Sequence, residues 1–209
     1  MILLPTLDEE EGLADVLPRL PVREMSELGW ESKVLIIDGG SKDLTTQVAQ
    51  ESGCELLQQQ GKGKGAAMRL GFLHFLQADY DALVMLDPDG TYHPEEIPKF
   101  LKKLEHADVV IGDRLRGAMD PDAMTRTNYF GNHVLTWIAV ALYGVPMNDL
   151  CSGYWGFSKQ APQVIVWSLR SAGPPRGPPN DQETIGFVSQ TAIRAPIHGR
   201  LWKPPCMVK

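Results

Sequence analysis

The chain has 209 residues, a formal net charge of −6 and an ordinary apolar share of 43%. That is one large domain, or one domain with an appendage, with enough apolar material for a sizeable core. The acidic balance argues against general nucleic-acid binding, and three scattered cysteines (Cys54, Cys151, Cys206) suggest no disulfide framework and a reducing compartment.

The apolar start, Met1 to Leu4, is cut by Pro5 and is too short for a secretion signal. It reads as a strand running into Pro5-Thr6-Leu7-Asp8-Glu9-Glu10-Glu11. Thr6 or Asp8 is placed to cap a helix carrying Leu13, Val16, Leu17 and Leu20, with acidic residues near its positive end. Val34 to Ile37 is a near-continuous apolar run, as expected of a parallel strand covered on both faces. It ends at Asp38-Gly39-Gly40-Ser41-Lys42-Asp43, a turn opening a helix from Leu44 to Ser52. Cys54 to Leu57 is a short third strand. Gly61-Lys62-Gly63-Lys64-Gly65 then opens a helix with Met68, Leu70, Phe72, Phe75 and Leu76 on its apolar side.

Ala82 to Leu86 is a fourth apolar strand, followed by Asp87-Pro88-Asp89-Gly90-Thr91. Residues i and i+2 of an extended chain point the same way. Asp87 and Asp89 can thus present two carboxylates to one point, at the strand end where open α/β sheets place ligands. Hard oxygen donors there suit Mg²⁺ or Mn²⁺ completed by water and phosphate; the plainer alternative is an acidic turn. The five histidines show no zinc-type spacing.

Pro94 to Leu104 reads as a helix with proline in its first turn, and Asp108 to Ile111 as a strand ending at Gly112-Asp113-Arg114. Arg114 then lands on the same edge, where a guanidinium suits phosphate. Tyr129 to Val145 is apolar but short for a bilayer span. Its default reading is a buried helix, and its sharper reading a helix in the membrane interface. Strands alternating with helices imply right-handed crossovers and a mostly parallel α/β sheet.

After Ser158 the character changes. Half of the sixteen prolines lie between Pro162 and Pro205, and the run from Gly173 to Pro179 can hold neither helix nor inner strand. The expected organisation is a domain over 1–158 and a largely irregular Pro-rich tail over 159–209. The tail is expected to supply no strand, and at most a short helix around Asp181 to Ile193.

In order and spacing, Pro5-Thr6-x-Asp8-Glu9, Asp38-Gly-Gly-Ser41-x-Asp43, Gly61-Lys-Gly-Lys-Gly65-x-Ala67, Asp87-x-Asp89, Gly112-x-Arg114 and Asp149-x-x-Ser152-Gly153 resemble the family 2 glycosyltransferases. These have the Rossmann-like GT-A nucleotide-diphospho-sugar transferase fold. The nearest subgroup is the dolichyl-phosphate mannosyltransferase-like enzymes, and the match covers roughly 1–158. The resemblance implies an inverting, metal-dependent transfer of mannose or glucose from a GDP- or UDP-sugar to a polyprenyl phosphate. It implies Pro5, Leu7, Glu9, Ile36, Asp38, Asp87, Pro88, Asp89 and Arg114 as donor-binding residues. Asp87, Asp89 and Thr91 would hold Mg²⁺ or Mn²⁺; Arg126 and Ser152 would meet the acceptor or its phosphate; Asp89, Arg114 and Asp149 would serve catalysis. Leu7, Asp8 and Trp155 stand where the family usually has Tyr, Asn and Arg. With no C-terminal transmembrane pair, the expected location is cytoplasmic, with peripheral contact to the membrane face. Two alternatives stay open: a soluble acceptor, and a catalytically impaired nucleotide-sugar-binding domain.

Overall fold

The computed structural model describes residues 1–113, 126–144, 147–163, 165 and 206–208. Its centre is a seven-stranded sheet built from β1 (Ile2–Thr6), β2 (Val34–Asp38), β3 (Glu55–Gln58), β4 (Ala82–Met85), β5 (Val109–Gly112), β6 (Trp155–Ser158) and β7 (Cys206–Val208). The spatial order is β3-β2-β1-β4-β6-β5-β7. Every pairing is parallel except those of β6, which runs antiparallel between β4 and β5.

Alternate residues of each apolar strand feed two cores. Ile2, Leu4, Ile36, Val84 and Val110 pack on one face with Leu13 and Val16 of α1 (Glu10–Arg19), Ala49 of α3 (Thr45–Glu51), and Ile97 and Phe100 of α5 (Ile97–Leu104). Leu3, Leu35, Ile37, Leu83, Met85 and Ile111 pack on the other with Phe72 and Phe75 of α4 (Lys64–Gln77), and with Trp155 and Phe157. Each fully buried side chain of this size stabilises by roughly 1.5–3 kcal/mol, so the pleat itself fixes a three-layer α/β/α arrangement. Helix α4 approaches β1 closely through Gly71, where a Cβ would stand within 2.5 Å of Leu3. A short helix, α2 (Val22–Glu27), follows α1 and contributes Met25 to the core.

Two expectations are corrected, and one is not reached by the described residues. The Pro-rich tail does supply a strand: β7 pairs in parallel with β5, Ile111 opposite Met207. The expected helix around Asp181 to Ile193 lies outside the described residues. The apolar segment from Tyr129 is not a buried helix: α6 (Arg126–Tyr143) turns only a narrow stripe, including Thr136 and Ala139, to the protein. Phe130, Trp137 and Leu142 are each 71% exposed, and Val134, Leu135 and Ile138 are also exposed. No helix of the described residues is long and apolar enough to cross a membrane.

Candidate active site

The carboxyl ends of β1, β2 and β4 lie side by side, so the loops that follow them share one edge of the sheet. The loops after β1 and β2 are interlocked. The amides of Asp8, Glu9 and Glu10 donate to Ser41 Oγ (2.9 Å), Thr45 Oγ1 (2.9 Å) and Asp43 Oδ2 (3.1 Å). In return, Lys42 N donates to Asp8 Oδ1 at 2.7 Å and Leu44 N to Glu10 Oε2 at 3.2 Å. Neither Thr6 nor Asp8 caps α1: the start of that helix is satisfied by Asp43 and Thr45 instead, and Asp8 takes a positive φ of 56° to make the exchange.

Asp38, at the end of β2, is buried and fixes the second loop. Its carboxylate accepts from Gly40 N (3.0 Å), Ser41 N (3.1 Å), the Ser41 hydroxyl and Gln58 Nε2 (3.0 Å). Glu9, half-buried beside this assembly, has its carboxyl pushed above the usual range, first by burial and then by Asp89, Asp87, Asp43 and Asp8. Glu9 thus feels both members of the Asp-Pro-Asp pair, so the acidic residues of three loops share one field. Gly12 allows this approach, since a Cβ there would collide with the Pro88 carbonyl.

Asp87 Oδ2 accepts from Lys64 Nζ at 2.5 Å. Asp89 is exposed, and its Oδ1 accepts from Thr91 N at 2.9 Å. The antiparallel β6 completes the edge. Because Trp155 sits opposite Met85 at the carboxyl end of β4, the residues just before it arrive beside Asp87. Gly153 packs so closely that an added Cβ would fall on Asp87 Oδ2, and its N–H donates to the buried Tyr92 hydroxyl. Tyr154 is clamped between Tyr92 (edge-on, 5.5 Å) and Phe100 (stacked, 4.1 Å); burial drives its phenol pKa up.

The residues expected at the site divide into groups. Glu9, Asp38, Asp87, Pro88 and Asp89 are gathered at this edge. Leu7 is 59% exposed there, and Pro5 is half-buried at the end of β1. Ile36 is fully buried in mid-strand and packs in the core. Asp149 is also fully buried. Ser152 is buried, its Oγ accepting from Tyr154 N at 3.1 Å, so it shapes the turn at Gly153. Thr91 reaches Asp89 through its backbone amide. Arg114 and the side chain of Arg126 lie outside the described residues. Trp155 is buried, its indole N–H donating to the Ser152 carbonyl at 2.5 Å, which explains an aromatic there. Sequence reasoning missed Lys64, Tyr92 and Gly153 as partners of this constellation, although the Gly-Lys-Gly-Lys-Gly and Ser-Gly motifs flagged two of them.

A hard divalent cation fits this donor set. Asp87 Oδ2 already carries a cation, the Lys64 ammonium, and Asp89, Asp87, Asp43 and Asp8 all add negative potential at neighbouring Glu9. Among the described residues no group of three or more His, Cys, Asp or Glu could hold a metal unaided. The protein's share would be Asp87 and Asp89, as is usual where phosphate oxygens and water complete the shell.

This is a GT-A architecture: a mostly parallel α/β sheet with an Asp-x-Asp turn at the carboxyl edge of its central strand. The family model for glycosyl transferase family 2 matches residues 1–163, and the chain belongs to that family. It is 39% identical over 161 residues to glycosyltransferase AglJ of Haloferax volcanii, covering 77% of this chain and 50% of AglJ. It is 36% identical to the undecaprenyl-phosphate mannosyltransferase of Micrococcus luteus (79% of this chain, 68% of that one). It is 29% identical to the dolichyl-phosphate hexose transferase of Haloferax volcanii (95% and 77%). The chain thus spans half the length of AglJ. Glucosyl-3-phosphoglycerate synthase from Mycobacterium tuberculosis, solved with Mn²⁺, UDP and phosphoglyceric acid, superposes with a TM-score of 0.56 at 21% identity, over 78% of this chain and 56% of that one. This last likeness concerns the fold alone.

Proposed function

We propose that the chain is the catalytic domain of an inverting glycosyltransferase that moves mannose or glucose from a GDP- or UDP-sugar to a polyprenyl phosphate. One observation carries this reading: Glu9, Asp38, Asp87 and Asp89 gather at the carboxyl edge of the sheet, the place where open α/β folds bind nucleotides. The relatives named for undecaprenyl-phosphate and dolichyl-phosphate transfer support the acceptor class.

Asp87 and Asp89 would hold Mg²⁺ or Mn²⁺, which when bound neutralises charge building on the departing nucleoside diphosphate. Asp38 holds the Gly39–Ser41 loop through its backbone amides, keeping the floor of the donor cleft in one shape. Gly153 and Tyr92 hold the Asp87 carboxylate in place from the β6 side. An acceptor phosphate monoester has its second pKa near 6, so it arrives mostly as a dianion at neutral pH and needs little general-base help. Its oxygen forms a bond to the anomeric carbon as the bond to the leaving diphosphate breaks, and catalysis is mostly positioning and electrostatics. The exposed apolar face of α6 lies on the cytoplasmic membrane surface, where the lipid acceptor resides.

The test is transfer from GDP-mannose and UDP-glucose to a short-chain polyprenyl phosphate, with the product's anomeric configuration read by NMR. Inverted glycosyl phosphate is the expected product. Retention, or transfer only to a soluble phosphate, would overturn the reading. Nucleotide binding without turnover would favour an impaired binding domain, a reading that the inward-turned Asp149 and Ser152 would then support.

A further inference from the structure

We propose that Lys64 is an internal counter-cation for Asp87, which the metal must displace and which the donor's phosphates then receive. The proposal rests on the nucleotide-sugar reading above. Lys64 is the first residue of α4, directly after Gly63 with φ at 83°. Its ammonium lies 2.5 Å from Asp87 Oδ2, with the two side chains 35% and 25% exposed. Gly153 closes another side of the same oxygen so tightly that not even a methyl group fits.

A divalent ion of the Mg²⁺ class must come to about 2.0–2.1 Å from its carboxylate oxygen. On Asp87 Oδ2 it would therefore stand within about 5 Å of the ammonium, a monocation beside a dication in a partly enclosed site. The two cations exclude each other from that oxygen. Lysine is a flexible point charge with rotatable donors and a ready phosphate binder. A bound diphosphate gives the displaced ammonium a new anionic partner beside the metal. Metal and nucleotide should then bind in mutual support. Either one alone is disfavoured, because metal alone strands the lysine and nucleotide alone leaves Asp87 already satisfied.

The experiment follows free Mn²⁺ by its electron paramagnetic resonance signal, and UDP and GDP binding by calorimetry. It compares the wild type with Lys64→Met, Lys64→Gln and Lys64→Arg. A charge-assisted hydrogen bond at a site this exposed supports an effect of about tenfold. Lys64→Met and Lys64→Gln should each bind Mn²⁺ alone about tenfold more tightly than the wild type. Each should bind nucleoside diphosphate at saturating Mn²⁺ about tenfold more weakly. Lys64→Arg, which keeps the charge, should stay near the wild type in Mn²⁺ affinity. If the wild type binds nucleotide in a metal-dependent way but the neutral variants bind Mn²⁺ no more tightly, the counter-cation role is overturned and the functional reading stands. If the wild type binds no nucleotide with Mn²⁺ present, both fall.

Discussion

Replacing Gly153 with alanine tests the geometry of the candidate site most directly. The new Cβ would fall 1.9 Å from Asp87 Oδ2, 2.7 Å from Asp87 Cγ and 3.1 Å from Tyr92 Cε2. Ordinary contact begins near 3.4 Å, so the Asp87 carboxylate oxygen must retreat by about 1.5 Å, against a Tyr92 ring already packed on Tyr154. Overpacking of this kind costs about 1–3 kcal/mol, which lowers Tm by about 3–10 °C in a chain of this size. The functional loss should be the larger effect, because a displacement near 1 Å can cost about a hundredfold. Gly156→Ala in the same strand is the control. Its Cβ would press on Phe100 Cδ1 at 3.1 Å, inside the core and away from the carboxylates. Differential scanning fluorimetry and calorimetric titration of UDP and GDP with Mn²⁺ should show both variants destabilised, and only Gly153→Ala weakened in nucleotide affinity, by about 10–100-fold. The reasoning is refuted if folded Gly153→Ala binds nucleotide within about twofold of the wild type, or if Gly156→Ala loses as much.

Asp89→Ala should weaken nucleotide binding in Mn²⁺ by at least about tenfold, and EDTA should do the same to the wild type; unchanged calorimetric affinity in both would remove the metal role. The Glu9 carboxyl is held above its ordinary value of 4.5, so its ionised form opposes folding. That penalty is absent below the unfolded pKa and grows as pH rises through the folded one. Glu9→Gln should therefore raise Tm at pH 7, by about 1–2 °C after solvent screening, with the gain vanishing near pH 4; a gain that persists at pH 4 would point to packing instead. A Trp137→Ser, Leu142→Ser double variant removes two side chains that are each 71% exposed on α6. It should bind anionic liposomes at least about tenfold more weakly on co-sedimentation, whereas equal sedimentation of both proteins would place the membrane contact elsewhere.

The sheet was legible wherever a strand is buried on both faces. Val34–Ile37, Ala82–Leu86 and Val109–Ile111 are apolar runs that admit little else, and their carboxyl-end aspartates followed from position. β6 was not legible: Trp155-Gly-Phe-Ser is four residues with a glycine inside, and only pairing with both β4 and β5 makes it a strand. The α1 cap was misread because its partners, Asp43 and Thr45, lie more than thirty residues away. A motif gives a residue's place in the chain but not its burial: Ile36 and Asp149 are both wholly buried, which their motifs do not announce. The pairing of Lys64 with Asp87 likewise needed the crossover that brings α4 to the edge of β4.

The antiparallel course of β6 has a consequence for where the chain tolerates added length. β5 ends at Gly112 and β6 begins at Trp155, with Ile111 directly opposite Trp155. The chain therefore leaves the sheet after Gly112 and re-enters it before Trp155 at the same edge, where the carboxylates gather. Once two strands are pinned side by side, lengthening the loop between them is cheap, about 0.6 kcal/mol for each doubling. Length can thus be added between Gly112 and Trp155 while the interlocked loops after β1 and β2 keep their hydrogen bonds.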